Sequence, residues 1–111
     1  MTRETLPPRR HCETFDIEFG GLSRFHTITA GYYDDGRVGE VFINGGKSGE
    51  QIQAIARDGA VLISLALQYG APLETIARAL TRDDRDQPTT ILCTVVDQLQ
   101  VEAAKMARAA E

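Results

Sequence analysis

Hydrophobic residues in this chain change their spacing once, and that change constrains the fold more than any other feature. Up to Asn44 they recur at every second position, and from Ser48 onward at every third or fourth. Side chains alternate across a strand and repeat about every 3.6 residues around a helix, so the first part predicts a sheet and the second part helices. The expected architecture is α+β: a three-stranded antiparallel meander followed by three helices packed on one face, in the order β-β-β-α-α-α.

In residues 11–19, Phe15, Ile17 and Phe19 alternate with Thr14, Asp16 and Glu18, which makes one dry face and one wet face of a strand. Gly20-Gly21 supplies the turn. In residues 24–33, His26, Ile28, Ala30 and Tyr32 share one face and Thr27 and Thr29 the other, and Asp34-Asp35-Gly36 follows as a hairpin signal. The third run, residues 38–43, is β-branched and aromatic with little alternation, so its buried face stays open.

Ser48, with Gln51 three residues later, forms a capping box, the pattern that satisfies orphan amides at a helix start. A long helix is expected from there. Ile52, Ile55, Ala56, Gly59, Ile63 and Ala66 lie three or four apart, and residues 60–67 are apolar nearly all round, with Ser64 the one polar residue. Such a helix needs cover on more than one side, from the sheet and from another helix or a second copy. Gly59 weakens a mid-helix position by about 1 kcal/mol relative to alanine, which points to a close approach there. Gly70 stops this helix, and Pro72 opens a short one along Leu73, Ile76, Ala77 and Leu80. Residues 81–87 read as a charged, solvated loop. Pro88 then opens a third helix with the stripe Leu92, Val96, Leu99, Ala103 and Met106, whose end frays from residue 103. Residues 1–10 form an N-terminal arm and residues 11–109 a single domain.

A chain of 111 residues can bury a core without disulfide or metal staples and is too short for a multi-domain enzyme. A net charge of -4 offers no basic field to a phosphate backbone, so no nucleic acid partner is expected. No window approaches the about 18 apolar residues of a membrane span, and no secretory apolar region is present. The expectation is a cytoplasmic protein with no membrane association. Cys12 and Cys93 fit no metal or disulfide-framework spacing and read as reduced, buried thiols.

The candidate ligand site is Gly45, Gly46, Lys47, Ser48 and Gly49. Glycines admit a ligand to the backbone, lysine adds charge, and the amides of a helix start face an anion. The same residues serve as a tight strand-to-helix turn with a cap. They do not complete a phosphate-binding P-loop, whose pattern needs glycine where Val41 stands. Arg37, on the turn before the third strand, joins as a fork donor if the hairpin curls toward that end. His11, Cys12 and His26 make a poor metal site, because adjacent strand residues face opposite ways. No nucleophile with a neighbouring base stands out, and Asp83-Asp84-Arg85-Asp86 lacks the glycine and distal glutamate of a calcium loop. No cofactor, metal or catalytic residue is expected.

Three runs in order, Asp35-Gly36-Arg37-Val38-Gly39-Glu40-Val41-Phe42-Ile43, Gly46-Lys47-Ser48-Gly49 and Leu62-Ile63-Ser64-Leu65-Ala66-Leu67-Gln68-Tyr69-Gly70-Ala71-Pro72-Leu73, resemble the TSCPD domain. That domain occurs at the C-terminal end of adenosylcobalamin-dependent ribonucleotide reductases and as short free-standing proteins. The resemblance implies a free-standing, non-catalytic accessory module that binds a partner protein or a nucleotide-like anion. The implied partners are a ribonucleotide reductase subunit, and a nucleotide or phosphate ligand at residues 45–49. Where the reductases carry the cysteine motif that names the domain, this chain has Ala79-Leu80-Thr81-Arg82-Asp83-Asp84, so a cysteine-based redox role is not implied. Three alternatives stand beside this reading. One is an oligomeric structural or sequestering protein, most simply a twofold homo-oligomer through the apolar helix. Another is a component of deoxynucleotide synthesis associated with a ribonucleoside-diphosphate reductase. The third is a small enzyme whose site matches no recognised motif.

Overall fold

The period-two patterning forms three strands and the helical patterning three helices in the computed structural model, which describes residues 2–20, 25–45 and 50–109, with side chains from residue 53 in the last stretch. The elements are β1 Cys12–Glu18, β2 Phe25–Tyr32, β3 Val38–Gly45, α1 Glu50–Gln68, α2 Leu73–Ala79 and α3 Ile91–Ala109. The strands are antiparallel in the order β1-β2-β3, as the meander predicts. Gly36 closes the second hairpin at φ 93°, the left-handed position such loops require, with its N–H on Tyr33 O at 2.9 Å.

Register sets the faces. Ile17 pairs with His26, Ile28 with Ile43 and Ala30 with Val41, and these side chains are buried together. Thr14, Asp16, Thr27 and Thr29 point the other way, with hydroxyl and carboxylate contacts between the strands. β3 shows little alternation because its first half is covered on both sides. Val38, Gly39 and Glu40 are all buried, with Tyr33 and Leu6 against Gly39 and the Arg10 guanidinium on Glu40. The N-terminal arm is therefore a tied strap: the Glu4 N–H also donates to Gln68 O at 2.8 Å.

α1 lays Ala56, Ala60, Ile63 and Leu67 into the core that the sheet shares with Val95, Val96 and Leu99 of α3. Fully burying a side chain of this size stabilises by about 1.5–3 kcal/mol, so this cluster holds the helices to the sheet. Gly59 is the close approach that the sequence implies, since a Cβ there would overlap the Leu92 side chain of α3. The capping box at Ser48 and Gln51 lies outside the described side chains.

Two local expectations are corrected, and a third holds at every residue but one. α3 starts at Ile91 rather than at Pro88, because Thr90 Oγ1 accepts the Cys93 N–H at 3.1 Å as an N-cap, while Pro88 pairs with Arg82 in an isolated bridge. Its end remains helical to Ala109, with Met106 still packed on the core. The loop over residues 81–87 is exposed except at Arg82. That guanidinium takes both Asp97 carboxylate oxygens, at 2.6 and 3.0 Å, and caps Ala77 O at 3.2 Å, tying the end of α2 to α3.

Candidate functional site

Of the sequence-predicted ligand residues, Gly46, Lys47, Ser48 and Gly49 lie outside the described residues. Gly45 ends β3 at φ 92°, opposite His26. Arg37 precedes the other end of β3, so a strand length of about 25 Å, at about 3.3 Å per residue, separates it from Gly45. The structure does not bring the two together. Arg37 is also engaged elsewhere, at 3.0 Å from both Glu4 carboxylate oxygens, 2.7 Å from Asp35 and 4.6 Å over the Tyr33 ring. These bonds, Glu4 first, hold its guanidinium pKa above the usual range, and the Arg37 backbone N–H is the main cause that holds the Asp35 carboxyl below its own. Beside Gly45, a cavity of about 20 Å³ among His26, Gln53, Arg57 and Ile91 has room for about one water.

A groove of about 340 Å³ runs along the free edge of β3 beside α1, in a place the sequence reading did not single out. An edge strand turns alternate N–H and C=O groups away from its partner strand. α1 meets two of these positions. Ser64 Oγ accepts the Val41 N–H at 2.9 Å and donates to Ala60 O at 2.8 Å, and Gln68 Nε2 donates to Gly39 O at 2.9 Å. The Oε1 of Gln68 in turn accepts from Arg3 Nε at 2.6 Å. Ser64 is the lone polar residue of the apolar run, and that oddity was the one signal for the groove.

Val41, Phe42, Ile43, Val61 and Leu65 make the groove apolar, with Glu40, Arg3 and Arg57 among its polar lining. Glu40 is neutralised by two nitrogens of Arg10. Arg3 and Arg57 meet no carboxylate among the described residues. The groove adjoins an apolar surface on the solvent side of α1, where Ile55 is 57% exposed, Val61 56% and Leu62 66%, while Phe42 on β3 is 50% exposed. This is the uncovered part of the all-round apolarity over residues 60–67.

Burial pushes the Tyr32 hydroxyl up to about 12, with Glu13 and Glu102 adding to the shift. Among the described residues, neither that hydroxyl nor His26 Nδ1 has a hydrogen-bond partner. Burial also raises the Cys93 thiol, which disfavours the reactive thiolate, whereas Cys12 is exposed rather than buried as the sequence suggests. Among the described residues no three His, Cys, Asp or Glu are placed to hold a metal, and no helix is long and apolar enough to cross a membrane.

The family model of the TSCPD domain matches residues 1–101. Relatives include the vitamin B12-dependent ribonucleotide reductases of Agrobacterium fabrum (strain C58), 42% identical over 79 residues, and Bradyrhizobium diazoefficiens, 39% identical over 79 residues. The reductase of Rhodopirellula baltica is 39% identical over 74 residues. These matches cover 71%, 71% and 67% of this chain but only 6%, 6% and 7% of the respective reductases, so the chain spans a small part of each relative. No solved structure matches.

Proposed function

Because the chain belongs to the TSCPD domain family, we propose that it is a non-catalytic accessory module that acts by binding a partner protein. The similarity to vitamin B12-dependent ribonucleotide reductases makes such a reductase the partner of choice. The observation that carries this reading is the solvent side of α1, where Ile55, Val61 and Leu62 are more than half exposed beside an apolar groove. Exposed apolar side chains of this kind mark protein contacts, and their removal from water is the main driving force for association. A match to 6% of the Agrobacterium reductase accords with a role beside a catalytic body.

The test mixes the chain with a vitamin B12-dependent reductase stripped of its own TSCPD segment and follows both by size-exclusion chromatography. Co-elution that is lost in Leu62→Asp is expected, together with no reduction of nucleoside diphosphates by the isolated chain. Turnover by the chain alone, or separate elution, would overturn the reading.

A paired arrangement of two copies along the same stripe is the second reading, favoured by Ile55, Leu62 and Tyr69 lying seven residues apart on α1 and just past its end. Binding of a nucleotide-like or phosphate anion at residues 45–49 draws its support from the sequence alone. Calorimetry with a deoxynucleoside triphosphate on wild type and Lys47→Ala reads it, and heat unchanged by the substitution would place any site elsewhere.

A further inference from the structure

Resting on the reading of this chain as a docking module, we propose that the groove between β3 and α1 receives an extended protein segment with an apolar middle and a carboxylate toward each end. The backbone of β3 argues for an extended occupant. Ser64 and Gln68 meet the edge groups of Val41 and Gly39, but Ile43, two residues on and turned the same way, has no such partner among the described residues. Ile43 is 3% exposed, with its small open area on the groove it lines, so the occupant meets its N–H and C=O there, the mode in which main-chain bonds give affinity and side-chain pockets give selectivity. Strand addition is thereby confined to the Ile43 end. Over the rest of the groove, Val61 and Leu65 offer apolar contact.

Charge defines the chemistry of the occupant. Arg57 lies toward one end, and Arg3 is held at the other by Gln68, while the one carboxylate in the groove, Glu40, is already neutralised by Arg10. The uncompensated charge is therefore positive. Residues 57 and 68 are separated by about 16 Å along α1 at about 1.5 Å per residue. An extended chain covers that span in about five steps of about 3.3 Å, and because its side chains alternate between faces, two carboxylates on one face stand an even number of residues apart, here six, with the length of the arginine and glutamate side chains taking up the difference. A segment with carboxylates at that spacing meets both guanidinium groups while its middle lies on the apolar wall.

The probe is the fluorescein-labelled peptide Glu-Thr-Val-Thr-Val-Thr-Glu, whose two glutamates and two valines share one face of the extended chain, read by fluorescence anisotropy against the intact chain. Saturable binding is expected, weakened about tenfold by Arg57→Glu, and more by Arg3→Glu/Arg57→Glu, which in turn takes up the lysine-ended peptide Lys-Thr-Val-Thr-Val-Thr-Lys. No binding to wild type, equal binding of both peptides, or indifference to Arg57→Glu would overturn the proposal. Self-association of wild type that blocks the peptide and disappears in Arg57→Glu would assign the groove to a second copy and also overturn it. Failed peptide binding with reductase co-elution intact defeats this inference alone. Peptide binding without co-elution defeats the reductase partnership and leaves the groove as proposed.

Discussion

Ser64→Ala removes the side chain that seals the middle of the β3 edge. In the folded protein Ser64 Oγ accepts the Val41 N–H at 2.9 Å, and Val41 is only 1% exposed, so water has little access to replace the lost acceptor. Leaving a buried N–H unmet costs about 1–3 kcal/mol. Alanine returns up to about 0.5 kcal/mol through its better helix propensity. The net loss is therefore about 1–2 kcal/mol, which lowers Tm by about 4–15 °C for a domain of this size. Urea denaturation of wild type and variant gives the loss, and amide hydrogen exchange locates it, with Val41 exchanging faster while the core of α3 slows or speeds only with global stability. Equal stability with unchanged exchange at Val41 would refute the reasoning, since the β3 edge would then be satisfied without the helix.

Thr90→Ala should cost about 1 kcal/mol as the lost N-cap of α3, and an unchanged denaturation midpoint would put the start of that helix back toward Pro88. Tyr32 has its folded pKa raised to about 12 by burial, above the usual value of about 10, so the stabilisation it confers as a neutral phenol is complete below about pH 10 and is lost as pH rises through about 12. Ultraviolet titration should show a late phenolate step that is missing in Tyr32→Phe, together with better survival of that variant in alkali. A late step that persists would assign it to another tyrosine. Light scattering tests the paired arrangement: a mass of two copies at micromolar concentration that falls to one in Leu62→Asp supports it, and a monomeric wild type removes it.

Element order was legible because the hydrophobic period changes once, and Gly36 was legible because a left-handed turn position leaves few alternatives. What escaped depends on contacts between distant parts of the chain. The buried start of β3 does not alternate because Leu6 and Arg10, from the arm, cover its second face. Pro88 is a strong local start signal, yet the cap geometry at Thr90 prevailed and Pro88 serves the bridge to Arg82. The pairing of Arg37 with Asp35 is local, but its pairing with Glu4 spans 33 residues and draws Arg37 away from any role beside Gly45. The β3 groove was hidden for the same reason: which side of α1 meets the strand edge is decided by Ser64 and Gln68, whose partners lie 23 and 29 residues earlier.

Hydrogen exchange of the chain with and without a vitamin B12-dependent reductase lacking its TSCPD segment tests the docking role most directly. The docking proposal predicts that slowed exchange falls on α1, over residues 55–68, and on the adjoining edge of β3, where the exposed apolar side chains and the groove lie. Protection confined to the open face of the sheet around Thr14, Asp16, Thr27 and Thr29, or no protection at saturating reductase, would contradict it.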